Sequence, residues 1–150
     1  MIKVNSIEKE ARTPKLVAGL LGIWEASVRA SHHFLTEEDI RSLCPQAEEA
    51  VRQIGTLWVA YEDSACVGFM GIQARKIEML FLHPAFFRKG IGKVLIKKVI
   101  AEQDVQYVDV NEQNPSAVKF YERMGFRTFR RDSTDDQGNP FPILRMEIKA

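Results

Sequence analysis

The sequence predicts an α/β (α+β) fold with a mixed, mostly antiparallel central sheet of about seven strands and helices on both faces. Two amphipathic helical patterns open the chain, three β-rich segments joined by short turns follow, and strands then alternate with helices. The predicted order is β-αα-βββ-α-β-α-ββ, in a single domain over residues 1–150. A helix between strands implies a right-handed crossover and some parallel pairing, whereas hairpins imply antiparallel pairing.

The first third of the chain predicts a strand at residues 2–7 and a helix at 14–31. Thr13 followed by Pro14 is a typical helix start, because Pro is tolerated where the helix has no N–H to bond. The apolar residues of this helix recur at helical spacing and predict one buried face: Leu16, Leu20, Ile23, Trp24 and Val28.

A second helix start is predicted at Thr36, with Asp39 as its capping-box partner. The helical pattern continues to Ile54, and Pro45 within it predicts a kink or a break. The remaining elements are predicted strands at 57–62, 66–72, 75–82, 105–110, 126–131 and 142–149, and helices from just after Gly92 to about Glu102 and at 115–124. Within the helix after Gly92, the residues expected to face inward are Val94, Leu95, Ile96 and Val99.

Composition excludes several classes of protein. A net charge of +1 argues against a dedicated nucleic-acid binder, which usually carries a strongly basic face. No apolar run is long enough for a membrane span and no signal peptide is apparent, so we expect a cytoplasmic protein without a membrane partner. Cys44 and Cys66 are too few for a disulfide framework, and no Cys and carboxylate cluster predicts a metal site.

The turn Arg88-Lys89-Gly90-Ile91-Gly92-Lys93, between a strand and a helix, predicts an anion site. The first N–H groups of a helix have no intrahelical partner, and the helix dipole favours negative charge there. The two glycines allow close approach of an anion, and the basic side chains add charge around it. The spacing fits neither a Walker motif nor a dinucleotide fingerprint, and alone it indicates only a phosphate.

A second motif identifies the family. The segment from Asn114 to Phe126 resembles the motif Asn-x-x-Ala-x-x-Phe-Tyr-x-x-x-Gly-Phe of the GCN5-related N-acetyltransferases (GNAT). The turn at 88–93 resembles the Arg/Gln-x-x-Gly-x-Gly/Ala motif of the same family, in the same order along the chain. The opening helices, including the Trp24–Ala30 and His32–Leu35 segments, resemble those of the small bacterial YjaB-type subgroup.

The resemblance implies direct acetyl transfer from acetyl-CoA, as cosubstrate, to a primary amine of a small-molecule or peptide acceptor. It implies that Tyr121 is the general acid for the leaving thiolate. The implied cofactor-binding residues are Leu80, Phe81, Leu82, Arg88, Lys89, Gly90, Ile91, Gly92, Lys93 and Asn114. The sequence departs from the family at Phe87, which stands at the Arg/Gln position, so backbone amides are expected to carry most of the grip on the pyrophosphate.

The identity of the general base stays open. Glu78 and Asp109 are both candidates, and no base is needed if the amine binds already deprotonated. Glu78 stands on the fourth strand, where several family members carry a glutamate that acts as the base, and its apolar neighbours favour a raised pKa. Trp24, His32 and His33 are candidate substrate contacts, because the family builds its acceptor pocket near the first helices.

Two alternatives remain beside the enzyme: a non-catalytic CoA-binding sensor or regulatory module on the same fold, and an interaction domain without a CoA site. The identity of the acceptor and the choice between monomer and homodimer are not readable from the sequence.

Overall fold

The computed structural model describes residues 2–148 and contains one seven-stranded sheet in the order β1-β2-β3-β4-β5-β7-β6. The elements are β1 (Ile2–Ser6), α1 (Pro14–Ser31), α2 (Glu37–Gln53), β2 (Thr56–Glu62), β3 (Ala65–Gln73), β4 (Lys76–Leu82), α3 (Ile91–Gln103), β5 (Tyr107–Asn111), α4 (Pro115–Arg123), β6 (Arg127–Asp132) and β7 (Ile143–Glu147). Short 3-10 helices at Lys9–Ala11 and Pro84–Phe86 were not expected from the sequence. The predicted order and fold class are confirmed.

The sheet opens in its middle. Every pair of neighbouring strands is antiparallel except β4 and β5, which are parallel and pair only at Lys76 with Tyr107 and Ile77 with Val108. Beyond those two pairs the strands diverge, so the backbone of β4 from Glu78 onward has no ladder partner on the β5 side. A bulge adds to this, since Ile77 pairs with Ile72 and Met79 with Gly71, and Glu78 falls between them.

Two apolar cores lie on opposite faces of the sheet. One packs α1 and α2 against Leu57, Val59 and Phe69, and the other packs α3 and α4 against strand residues such as Ala60 and Met70. The alternation of side chains along β2 produces this division, because successive residues of a strand point to opposite faces. Helices on both faces, as predicted, are therefore confirmed.

The predicted helix starts are confirmed. Thr13 Oγ1 accepts a hydrogen bond from the Leu16 N–H at 3.2 Å, and Thr36 and Asp39 form the reciprocal capping box. The predicted break at Pro45 is wrong, because α2 runs from Glu37 to Gln53 with Pro45 inside it. The proline removes one helical N–H, and the packing of α2 on α1 through residues such as Ile40 and Val51 compensates.

Two details of α3 differ from the prediction. The helix begins at Ile91, so Gly92 lies in its first turn rather than before it. Val94 is 54% exposed, and its predicted inward position is wrong. The buried stripe of α3 runs through Ile91, Leu95, Ile96 and Val99, and Val94 lies off that stripe.

The last strand was predicted at 142–149, and its final residue, Lys149, lies outside the described residues. Within residues 2–148, no helix combines the length and apolar character needed to cross a bilayer.

Candidate active site

A cavity of about 560 Å³, here called the central cavity, lies where β4 and β5 diverge. β4 contributes the wall from Glu78 to Phe81, and β5 contributes Asp109 to Asn111. Asn114, Ala117 and Tyr121 line it from α4, and α1, α2 and the loop between β6 and β7 complete the enclosure. Because parallel pairing stops at Ile77, alternate N–H and C=O groups of β4 face this space.

The start of α4 brings two of the predicted site residues to the central cavity. Asn114 is buried and caps α4, with its Oδ1 accepting from the Ala117 N–H at 3.3 Å. With Oδ1 engaged, the Nδ2 group is left to donate. Tyr121 is buried, and Phe120 and Phe126 pack edge-on against its ring at centroid distances of 5.1 and 5.7 Å. Burial raises the pKa of the Tyr121 hydroxyl far above its usual value, so it is protonated at neutral pH.

The predicted anion turn lies beside α4 but does not line the central cavity. Gly90 precedes α3 with φ of 82°, a conformation that favours glycine. The first helical bond runs from the Val94 N–H to Gly90 O at 3.1 Å, so the N–H groups of Ile91, Gly92 and Lys93 precede the helical ladder. Gly92 is buried against α4, since a Cβ there would lie 3.2 Å from Phe120 Cζ.

The side chains around this turn supply charge at its surface. Arg88, Lys89 and Lys93 are exposed, and Lys89 Nζ lies 5.4 Å from the centre of the Phe86 ring. Phe87 is half-buried, and its N–H donates to Pro84 O at 3.1 Å. The turn therefore presents the N–H groups of a helix start and exposed basic side chains, without a polar side chain at position 87.

The three predicted cofactor-binding residues of β4 divide between the two faces of the sheet. Leu80 and Phe81 line the central cavity. The side chains of Leu80 and Leu82 pack against the α3–α4 core, Leu82 near Gly68 and Gly92, whereas Phe81 packs against the α1–α2 core. Leu82 does not line the cavity. Any contact of Leu82 with a ligand in the cavity would therefore come from its backbone groups.

Glu78 lies on the bulge of β4, in the central cavity, with 31% of its side chain exposed. Lys76 Nζ lies 3.2 Å from Glu78 Oε1 and 2.8 Å from Asp109 Oδ2. Burial raises the pKa of Glu78, Lys76 opposes that rise, and the negative charges of Asp109 and Asp136 add to it. The structure thus brings both candidate bases, Glu78 and Asp109, into one ion-pair cluster.

Arg145 is the second cation of this cluster and is largely buried, with 11% of its side chain exposed. Its guanidinium bonds Asp109 of β5 at 2.7 Å, Asp132 at the end of β6 at 2.8 Å and Asp136 of the β6–β7 loop at 2.9 Å. Carboxylate oxygens of Glu78, Asp109 and Asp136 lie within 4.8 Å of one another. Lys76 and Arg145 already supply counter-charges for this group.

Of the three predicted substrate contacts, Trp24 and His32 line the central cavity and His33 is exposed outside its lining. The Ser31 hydroxyl donates to Ser27 O at 2.7 Å, and His32 Nδ1 lies 2.8 Å from Ser31 Oγ. Since that hydroxyl proton is already used, Nδ1–H must be the donor and Nε2 the acceptor. Burial, with the charge of His33 second, lowers the pKa of His32 to about 4, so its ring is neutral at pH 7.

Sequence reasoning missed the residues that hold the acceptor end of the cavity together. The β6–β7 loop contributes Asp135, Gln137 and Phe141 to the lining, and Asn139 Nδ2 of that loop donates to Gln46 Oε1 of α2 at 3.3 Å. Lys76, Asp136 and Arg145 were not singled out. One signal existed for Arg145, because it is a charge between the apolar residues Leu144 and Met146 of a strand that the sequence predicts.

Comparisons with known proteins identify this architecture. The sequence matches the family model described as "Acetyltransferase (GNAT) domain" over residues 26–150. It is 36% identical over 135 residues to the peptidyl-lysine N-acetyltransferase YjaB of Salmonella typhimurium. This alignment covers 85% of this chain and 88% of that protein.

Two solved structures show the same fold. The apo-form YjaB of Escherichia coli, a solution structure, superposes with a TM-score of 0.85 at 31% identity and covers 98% of this chain and 97% of that one. The PaiA N-acetyltransferase of Thermoplasma acidophilum, in complex with coenzyme A, has a TM-score of 0.73 at 22% identity and covers 100% and 99%. The protein is therefore an N-acetyltransferase. It belongs to the GNAT family, as its two sequence motifs predicted.

Proposed function

We propose that this N-acetyltransferase transfers the acetyl group of acetyl-CoA to the ε-amine of a lysine in a peptide or protein, with Glu78 as general base and Tyr121 as general acid. The carrying observation is the charge of the central cavity. Among the described residues, its charged lining consists of Glu78, Asp109 and Asp135, with no Lys or Arg. Lys76 and Arg145 pair with Glu78 and Asp109 from outside this lining, whereas Asp135 has no cation partner among the ion pairs of the described residues. The lining therefore keeps negative charge, which favours entry of a cationic amine.

The names of the relatives support the same acceptor. The YjaB protein of Salmonella typhimurium is a peptidyl-lysine N-acetyltransferase, as is the YiaC protein of Escherichia coli, which is 30% identical over 79% of this chain. The coenzyme A complex of the PaiA enzyme supports the donor. The enzyme names of the relatives also favour catalysis over a non-catalytic CoA-binding sensor.

On the donor side, three groups of this chain are suited to hold acetyl-CoA. The α3 start offers the N–H groups of Ile91, Gly92 and Lys93 to a pyrophosphate. Asn114 Nδ2 is available to donate to the pantetheine arm. The unpaired edge of β4 offers backbone groups from Glu78 to Leu82 to the arm and to the acetyl carbonyl, whose oxygen becomes more negative in the transition state.

On the acceptor side, the proton transfers that the reaction requires assign a base and an acid. A lysine amine has a pKa near 10.4, so the ammonium must lose a proton before its nitrogen can attack the carbonyl carbon. Glu78 accepts that proton, directly or through water, and its raised pKa makes it a better base. As the carbon–sulfur bond breaks, Tyr121 gives its hydroxyl proton to the thiolate. The attacking nitrogen loses its second proton at this stage, and that proton restores the Tyr121 hydroxyl through water.

The geometry favours Glu78 over Asp109 as the base. Asp109 Oδ2 is bonded by both Lys76 at 2.8 Å and Arg145 at 2.7 Å, and its side chain is only 15% exposed. The Asp109 oxygen is therefore already engaged by two cations and is less free to contact an incoming ammonium. Glu78 contacts one cation at the longer distance of 3.2 Å and stands in the cavity wall.

Mass spectrometry of peptides with a single lysine tests this proposal. With acetyl-CoA, the protein should add one acetyl group to the lysine of an N-terminally blocked peptide and none to the same peptide with Arg in its place. Tyr121→Phe should lower kcat about a hundredfold and leave the KM for acetyl-CoA near its wild-type value, because only the transferred proton is lost.

Two results would contradict the proposal. Acetylation of free peptide N-termini or small amines, with blocked lysine peptides untouched, would contradict the lysine acceptor. A Tyr121→Phe variant as fast as the wild-type protein would remove the acid assignment.

A further inference from the structure

The ion pair between Lys76 and Glu78 has no part in the roles assigned so far. Lys76 lies at the start of β4, two residues before Glu78, and its side chain is 27% exposed. Its ammonium bridges two strands, at 3.2 Å from Glu78 Oε1 and 2.8 Å from Asp109 Oδ2. It thus connects the Glu78 carboxylate, on the irregular part of β4, to the regular strand β5.

Glu78 lies among other carboxylates, so its contact with the Lys76 ammonium is important for its charge balance. Asp109 and Asp136 both bring carboxylate oxygens within 4.8 Å of it, and Asp135 lines the same cavity. His32, at the end of α1, also lines the cavity and is neutral at pH 7. Arg145 bonds Asp109 and Asp136, whereas the ion pairs of the described residues give Glu78 only Lys76.

The two directions of influence on Glu78 oppose each other. Burial raises its pKa most, and the neighbouring carboxylates add to this, whereas the charge and hydrogen bond of Lys76 lower it. Burial also lowers the pKa of Lys76, but its bonds to Asp109 and Glu78 outweigh that effect. A base with a raised pKa removes a proton more strongly, but it works only while it is ionised at the operating pH.

We propose that Lys76 is a positioning residue for the base: held by Asp109 of β5, its ammonium orients the Glu78 carboxylate toward the acceptor. The inference rests on the proposed role of Glu78 in acetyl transfer. This bridge gives Asp109 a role other than that of general base, because Asp109 anchors Lys76 beside Glu78.

Lys76→Met tests the proposal because it keeps the length of the side chain and removes its charge. The ionisation of Glu78 is followed by ¹³C NMR titration of the side-chain carboxyl, assigned with Glu78→Gln. The kcat/KM pH profile is measured in parallel with a single-lysine peptide. The Glu78 titration and the acidic limb of the profile should both move up by about one pH unit, and Lys76→Arg should restore both. Thermal unfolding checks that each variant is folded.

Asp109→Asn gives the opposite expectation. It removes a negative charge that raises the pKa of Glu78, so the Glu78 titration and the acidic limb should move down. It also removes the anchor of Lys76, so kcat at the plateau of the profile should fall. A merely structural loss would lower the rate without moving the limbs in opposite directions. Movement of both in the same direction would contradict the assignment.

The readouts separate this inference from the proposed function. A Glu78 titration that stays in place in Lys76→Met overturns the role of Lys76, whatever the activity. A titration that moves while Glu78→Gln keeps wild-type activity overturns Glu78 as the base, and with it the proposed mechanism rather than the Lys76–Glu78 linkage.

Discussion

The proposed donor and acceptor sides of the site offer different groups to their ligands: mainly backbone amides on the first and charged side chains on the second. On the proposed donor side, the groups available to a ligand are backbone groups along β4, in the cavity, and the N–H groups at the start of α3, beside it, together with the cap residue Asn114. On the acceptor side they are charged side chains from β4, β5, β7 and the β6–β7 loop, joined through Lys76 and Arg145. Backbone geometry therefore governs the donor side, and the charges of side chains govern the acceptor side.

This difference predicts how each side responds to substitution. Replacing a side chain leaves a backbone amide in place, so most changes on the donor side should alter affinity modestly. Replacing a charge on the acceptor side changes both the protonation of Glu78 and the bonds that hold the β6–β7 loop. Changes there should affect chemistry and stability more strongly.

The largest effect is expected from Glu78→Gln, which removes the proposed base and keeps the size of the side chain. At pH 7, kcat/KM for a single-lysine peptide should fall at least about a hundredfold. The deficit should shrink as pH approaches the pKa of lysine, near 10.4, because the amine then loses its proton without help. Initial rates across pH measure both effects.

Asp135→Asn is the matched control for Glu78→Gln, since Asp135 is another carboxylate of the cavity lining. Its Oδ1 accepts from the Gln137 and Asn139 N–H groups, and an amide oxygen can keep those bonds. The bond that its Oδ2 accepts from Asn139 Nδ2 is lost, so thermal unfolding checks that the variant is folded. The KM for the peptide should rise and kcat should stay near wild type. Equal losses of kcat in the two variants would mean that the cavity acts through its total charge and not through a single base.

A large effect on stability is expected from Arg145→Met. Arg145 has 11% of its side chain exposed and bonds Asp109, Asp132 and Asp136. Its removal leaves Asp109 with Lys76 alone, Asp132 with the exposed Arg130, and Asp136 with no cation among the ion pairs of the described residues. We expect a loss of about 2 to 3 kcal/mol in the free energy of unfolding, below the usual range because two of its partners are partly exposed. Urea denaturation measures it.

Arg130→Met provides the comparison for Arg145→Met. Arg130 bonds the same Asp132 at 2.9 Å, but 63% of its side chain is exposed. The expected loss is below about 1 kcal/mol. If both variants lost the same stability, burial would not be what distinguishes the acceptor-side cluster.

The donor side was largely readable from the sequence because its signals are local. A helix start is indicated within a few residues by Gly90 and Gly92, and another by Asn114 followed by Pro115. The helix starts at Thr13 and Thr36 are local in the same way. Val94 and Pro45 were misjudged because packing against neighbouring elements, rather than spacing, decided their outcome.

On the acceptor side, the sequence named several residues that line the cavity, such as Glu78 and His32, but not the ion pairs that join them, since those contacts link residues far apart in the chain. Lys76 meets Asp109 across 33 positions, Arg145 meets Asp109 across 36, and Asn139 meets Gln46 across 93. No local spacing encodes such pairs. The roles of the site residues, a cytoplasmic location and the oligomeric state stay predictions.

The smallest effect separates the two sides with a matched pair of glycines. Gly90 and Gly138 have φ of 82° and 81°, and a Cβ on either meets nothing within 4 Å. Ala at either position should therefore cost similar backbone strain, about 1 kcal/mol of unfolding free energy. Gly90→Ala should raise the KM for acetyl-CoA several-fold, because Gly90 caps the proposed pyrophosphate site. Gly138→Ala, in the β6–β7 loop, should raise the KM for the peptide instead. Steady-state kinetics with each substrate varied in turn measures both, and a rise in the same KM for both variants would show that strain, and not location, determines the response.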